Sequence, residues 1–233
     1  MSFSTMVREK INEYSELEII DTHKIYTSKC KNIPEQTYYK TISRMTINGE
    51  LERLTKGIYC KPKIGRFGKI VSSEKHVLEY YLGDKGKNGV IVGYRMYNKY
   101  KLTTQISKVI QVYSNVSEQE KKKVINVEIR KANVRFDHSL IKMVELLDFL
   151  ENINNIEELN RKNAIRFIED AIKLYSDKIL EKLLKTIGYK KSTLASLENV
   201  LNYYKISHSV GKHLNELSNY KSIRMEDLYD STQ

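Results

Sequence analysis

At 233 residues, 40 % of them hydrophobic and 30 % charged, the chain holds enough apolar material for one large core or two small ones and reads as a folded protein. No apolar run approaches the roughly 18 to 20 residues that span a bilayer, which excludes a helical membrane protein. The formal charge of +11 is unevenly spread: residues 1–70 hold 13 Lys and Arg against 8 Asp and Glu, residues 71–136 hold 13 against 6, and residues 137–233 hold 14 against 15.

A basic excess confined to the first 136 residues concentrates polyanions around that part of the molecule, as a nucleic-acid binder requires. A generally lysine-rich, soluble chain would show the same excess, so a motif has to decide. The opening stretch MSFSTMVREKINEYSELEII carries charges every few residues and has no signal-peptide core, so a cytoplasmic location is expected. Cys30 and Cys60 match no metal spacing and no disulfide framework, and read as reduced structural thiols.

In chain order, residues 5–16 and 22–30 read as two short helices. The third is better marked. Pro34 suits a first helical turn, Glu35 suits the positive end of the helix dipole, and Gly49 after Asn48 supplies a left-handed stop. Between them Tyr38, Ile42 and Met45 share an apolar face with Thr41 beside them, while Gln36, Lys40, Ser43 and Ile47 fall on the opposite side. ELERL and IYCKP then read as two strands around TKG, where Gly57 can take the positive φ of a tight turn, and Pro62 closes the unit.

Three short helices followed at once by a hairpin is the layout of a winged helix-turn-helix, in which the third helix enters the major groove and the hairpin lies along neighbouring phosphates. On that reading Gln36, Thr37, Lys40, Ser43 and Arg44 on the helix, with Arg53 and Lys56 on the wing, are the DNA-binding residues. The domain expected over residues 1–70 is followed by an α+β region over 71–233, with a small mixed sheet in 71–136 and helices from 137 onward. In it IGRFGKIVSS (64–73) reads as a connector and SEKHVLEYYLG as a helix. A strand near residue 89, a short helix at YRMYNKY and a strand at KVIQVYS come next. KKKVINVEIRKANVRF (121–136) alternates apolar and polar residues, Lys121 to Lys123 reading as a solvated turn. Later helices are marked by Ser176 and Ser192 as N-caps and Gly188 as a stop, and SVGKHLNELS reads as a further helix.

The run TISRMTINGELERLTKGIYCKP resembles the N-terminal domain of AbiEi-type antitoxins, whose typical pattern is LSRLxxxGxIxRxxxGxYxxP: Thr41 to Met45, Gly49, Leu51, Arg53, Gly57, Tyr59 and Pro62 fall in step. GYRMYNKYKLTTQISKVIQVYSN is similar to that family's GxxALNxLGLTTQVPxxxxxxT segment through Asn98, Leu102, Thr103, Thr104 and Gln105, and HLNELSNYKSIRM resembles a further segment. Lys101 stands where the family usually has glycine and Ser107 where it has proline. The resemblance implies an antitoxin of a type IV toxin–antitoxin system, of the kind that takes part in phage defence. It would repress its own operon through the winged domain and counteract a neighbouring nucleotidyltransferase-like toxin without a stable complex; separately, a winged domain of this size suits one half-site, so two related half-sites are expected in the promoter. The same N-terminal residues equally suit a plain winged-helix regulator whose C-terminal domain binds a ligand or dimerises.

Signs of catalysis are thin. Five histidines form no i,i+4 pair or Cys/His cluster, GDKGKNG lacks phosphate-loop spacing, and Glu128 has no partner carboxylate and reads as one half of a cross-strand ion pair. No enzyme, metal or cofactor is expected. The hydroxyls and amide of LTTQ suit a turn that caps backbone groups, with a polar functional patch as the other reading.

Overall fold

The computed structural model describes residues 2–215 and 219–230. The protein is mixed α+β, with small sheets and a helical C-terminal region, and the chain divides into two compact units: Met1–Tyr80 with Lys123–Val127, and Tyr81–Lys122 with Glu128–Gln233. Among the described residues no helix is long and apolar enough to cross a membrane.

The first unit opens with α1 (Phe3–Asn12), capped by the Ser2 hydroxyl, and a three-residue strand β1 (Ile19–Asp21). The Asp21 carboxylate then accepts the His23 and Lys24 amides and starts α2 (Thr22–Lys29). α3 (Glu35–Ile47) follows, with Pro34 at its cap. Gly49, at φ +76°, turns the chain so that the Glu50 amide reaches the Met45 carbonyl at 2.9 Å. β2 (Glu52–Thr55) and β3 (Ile58–Cys60) pair antiparallel around Lys56 and Gly57, and β1 adds to the other side of β3, giving the order β1-β3-β2. Val7, Ile11, Ile20, Ile25, Tyr38, Ile42, Met45 and Leu51 share one buried core, so the apolar face of α3 is consumed by α1, β1 and α2.

Residues expected to form a plain connector instead make a second hairpin, β4 (Lys63–Gly65) and β5 (Gly68–Ile70). Two glycines let the chain reverse there, and backbone pairing supplies the ladder that its short, mixed strands do not advertise. The first helix ends at Asn12 rather than residue 16, because the chain leaves it to form β1.

α4 (Glu74–Leu82) carries the chain from the first unit into the second. After it β6 (Gly89–Val92), β7 (Ile110–Ser114), β8 (Lys121–Val124) and β9 (Val127–Lys131) build a sheet of order β6-β7-β9-β8, with α5 (Tyr94–Lys99) between β6 and β7 in the chain and residues 123–127 counted with the first unit. Lys121 to Lys123 are therefore strand, not turn: β9 provides the ladder, and the reversal falls at Ile125, φ +56°. α6 (His138–Asn152) is buried on nearly all sides, with Met143 to Leu150 inside, and is the central helix of the unit. α7 (Arg161–Ile172), α8 (Asp177–Leu184) and α9 (Lys191–Tyr203) share its apolar core, and α10 (Met225–Asp230) closes the described chain. Ser176 caps α8 as expected, but α9 is capped at Lys190 with Ser192 inside it, and α8 stops at Leu184, four residues before Gly188. Only a short 3₁₀ turn, Val210–His213, forms in the segment expected to be a further helix, part of which lies outside the described residues.

Candidate nucleic-acid interface

α3 is fixed from its buried side. The Tyr38 hydroxyl donates to the Thr22 carbonyl at 2.8 Å, its ring lies 5.1 Å from those of Tyr26 and Tyr39, and burial pushes the phenol far above its ordinary range. The Thr41 and Thr46 hydroxyls donate back to the Thr37 and Ile42 carbonyls, which leaves no polar side chain of the inner face unsatisfied. At the far end of the helix, Arg8 of α1 pairs with Glu50.

On the opposite side the structure brings Gln36, Lys40, Ser43 and Arg44 together as exposed residues of one helix, with Thr37 half-buried among them. None of these side chains, nor those of exposed Arg53 on β2 and Lys56 in the β2–β3 turn, has a hydrogen-bond or ion-pair partner among the described residues. Three acids of the unit are engaged elsewhere. Glu13 binds Lys10 and Lys29 at 2.7 Å each, which holds its carboxyl at about 2 against an ordinary 4.5; Glu50 is taken by Arg8 and Glu52 by Lys69. What remains on the α3 side is a row of bases without an ion-pair partner, beside an amide and two hydroxyls, with Glu35 exposed at the head of the helix. Such a set can place bases against phosphates and an amide against a base edge.

The turn carrying Lys56 is held by Thr22, whose amide and hydroxyl both donate to the Gly57 carbonyl, at 3.0 and 3.1 Å. Gly57 sits at φ +80°, a conformation that a side chain would strain. Thr22, the first residue of α2, is thus tied to both elements that present the candidate residues.

In the second unit the LTTQ segment is a braced turn. Lys101 adopts φ +55°, the conformation natural to glycine. The Asn98 amide donates to the Thr103 and Gln105 carbonyls at 2.9 Å, Thr103 donates to the Glu157 carbonyl at 2.8 Å, and Thr104 to the Glu158 carboxylate at 2.7 Å. Both of its threonine hydroxyls are thus committed to structural bonds. Two buried carboxylates pin α6 to α5. Asp148 accepts from the Gly93 amide at 2.9 Å and the Tyr97 hydroxyl at 2.8 Å, and Glu145 from the Tyr100 hydroxyl at 2.7 Å with Lys99 and Lys142 beside it. Burial raises the Asp148 carboxyl above its ordinary range. Glu128 forms the cross-strand pair with Lys121, at 3.5 Å. Among the described residues there is no group of three or more His, Cys, Asp or Glu that could hold a metal ion.

No family model matches the chain, and no curated protein matches it. Among solved structures it is similar to the crystal structure of the Rv2827c protein from Mycobacterium tuberculosis, at 9 % identity over 99 % of this chain and 94 % of that one, with a TM-score of 0.40. That similarity is too low to establish a shared fold or activity.

Proposed function

We propose that the first unit is a winged helix-turn-helix that binds duplex DNA, with α3 in the major groove and the β2–β3 turn on neighbouring phosphates. The observation that carries this reading is the open face of α3: Gln36, Lys40, Ser43 and Arg44 lie exposed and unpartnered on a helix whose other face is fully packed. The element order α1, β1, α2, α3, β2, β3 with sheet order β1-β3-β2 supports the same reading, since it makes the helix and hairpin consecutive and adjacent. Seven residues carry the contacts: Gln36 at a base edge, Thr37 and Ser43 as polar seconds, and Lys40, Arg44, Arg53 and Lys56 at phosphates.

With the sequence resemblance added, the chain is a cytoplasmic, non-catalytic antitoxin that represses its own promoter and opposes a nucleotidyltransferase-like toxin encoded beside it. The second unit, near neutral over its helical part and packed around α6, supplies the antitoxin activity. One experiment separates the two halves of the reading. In cells expressing the neighbouring toxin together with a promoter reporter, Lys40→Ala abolishes repression and leaves colony formation intact. If the full chain represses but never rescues growth, the protein is a plain regulator; if it fails to shift the duplex upstream of its own gene, the DNA-binding reading is lost.

A further inference from the structure

The β4–β5 hairpin is the most exposed structured element of the first unit, and it is exposed in an unusual way. Phe67 is 98 % exposed and Ile64 76 %, while Arg66 and Lys63 have no acidic partner among the described residues. Burying an aromatic side chain of this size is favourable, so a bare Phe at a tip can gain from a surface that covers it. The base of the hairpin, by contrast, is anchored. Lys69 pairs with Glu52 of β2, the Lys61 ammonium donates to the Tyr14 carbonyl at 3.0 Å, and the Ser72 hydroxyl donates to the Leu17 carbonyl at 2.7 Å.

The register decides what kind of surface fits. Lys63 lies opposite Ile70, Ile64 opposite Lys69, and Gly65 opposite Gly68. Cross-strand partners share a face and successive residues alternate faces, so each face of the ribbon carries one base and one isoleucine. Neither face is an apolar sheet for a protein or a lipid surface to cover. Of the two bases Lys69 is held by Glu52, while Lys63 on the other face has no acidic partner among the described residues and can meet a phosphate. The glycine pair keeps the ribbon slim behind its tip: a Cβ on Gly65 would stand 2.7 Å from Ile70 Cδ1, and Gly68 holds φ +112°. Only Arg66 and Phe67 project there, with the guanidinium 5.8 Å from the ring centre. Minor-groove proteins combine such a cation, attracted by the groove potential, with an apolar wedge that parts a base step and kinks the duplex.

We infer that the tip of this hairpin, Arg66 and Phe67, enters the DNA minor groove and wedges a base step, with Lys63 facing the phosphates of one wall. The inference rests on the reading of the first unit as a duplex-DNA binder and adds a second contact, a minor-groove one, to that of α3.

The test uses the full-length protein and a fluorescent duplex from upstream of its own gene, with affinity read by anisotropy and bending by end-to-end energy transfer. Phe67→Ala is expected to weaken binding roughly tenfold, as loss of a stacked aromatic does, and to remove most of the bend. Phe67→Trp keeps both, and netropsin, a minor-groove ligand, competes with the wild type. Because Phe67 packs on nothing but its neighbouring arginine, thermal unfolding of the variant stays at the wild-type temperature. If Phe67→Ala and Arg66→Ala bind and bend like the wild type while Lys40→Ala does not bind, the hairpin inference falls and the α3 reading stands. If the wild type binds no duplex, both fall. Loss in Phe67→Ala of self-association, or of binding to phosphatidylcholine–phosphatidylserine vesicles, with DNA binding untouched would overturn the inference in favour of a second copy or a lipid surface.

Discussion

The Tyr38 hydroxyl sits 2.8 Å from the Thr22 carbonyl, and this one bond ties the first turn of α3 to the first residue of α2. Thr22 also holds the Gly57 carbonyl, so the helix and the wing turn are referenced to a single residue. Tyr38→Phe removes the donor while keeping the ring packed among Tyr26 and Tyr39, and should cost about 1 kcal/mol in chemical denaturation. Its DNA affinity, measured well below the unfolding midpoint, should stay within about twofold of wild type, because Tyr38 faces the core; a value of about 0.4 kcal/mol is the corresponding ceiling. A larger loss of affinity at unchanged stability would place Tyr38 in the interface and contradict the face assignment.

Gln36 and Lys56 should fail differently when replaced. Gln36→Ala is expected to relax preference at one base pair by about 1 to 3 kcal/mol, since an amide bidentate to a base edge carries sequence information. Lys56→Ala should weaken all sequences alike and lower the slope of log affinity against log salt by about one. Titrations at several salt concentrations on the promoter and on a scrambled duplex read both quantities. Equal losses on both duplexes for Gln36→Ala would remove its base-reading role.

The sequence made α3 legible because three independent signals agree there: Pro34 and Glu35 at one end, Gly49 at the other, and an apolar period between. β1 was not legible, since three residues are too few for a period, and β3 gives them a partner only once folded. The β4–β5 hairpin had a signal in KIGRFGKI, two like dipeptides about a GxxG turn, but glycines and bases read equally well as a connector. The exposed row Gln36, Lys40, Ser43, Arg44 could be read from the period alone. That Glu13, Glu50 and Glu52 are occupied by bases remote in sequence, as Glu13 is by Lys29, could not. Only the folded chain shows those bases of α3 to be without an ion-pair partner among the described residues.

Asp148 offers a test of the second unit that owes nothing to DNA. Its Oδ2 accepts both the Gly93 amide and the Tyr97 hydroxyl. Asp148→Ala strands two buried donors and should cost about 2 to 4 kcal/mol. Asp148→Asn keeps an acceptor oxygen in place and removes a buried charge, so its thermal midpoint at neutral pH should equal or exceed that of the wild type. Should the Asn variant lose as much as the Ala variant, the charge itself would be needed there.

Acid stability should follow carboxylates whose pKa the fold lowers. Hydrogen bonds from Lys10 and then Lys29 hold Glu13 at about 2 instead of 4.5, and the Tyr175 hydroxyl, with the Ser209 amide, holds Asp177 at about 2 instead of 3.8. A carboxyl whose folded pKa is depressed binds protons more readily when unfolded, so its contribution is fully present above the unfolded pKa and disappears as pH falls through the folded one. Asp148, raised by burial, works the other way: its cost at neutral pH is relieved as it protonates on acidification. The net expectation is a thermal midpoint that is level or gently rising as pH drops towards about 5 and then falls between about 4.5 and 2. Glu13→Gln, which cannot titrate, should flatten the part of that acid limb belonging to the first unit, and Asp177→Asn the part belonging to the second. Both side chains are largely in water, so screening keeps each effect small and added salt should diminish it further. An acid limb of the same steepness in the double variant would show that other carboxylates govern acid unfolding.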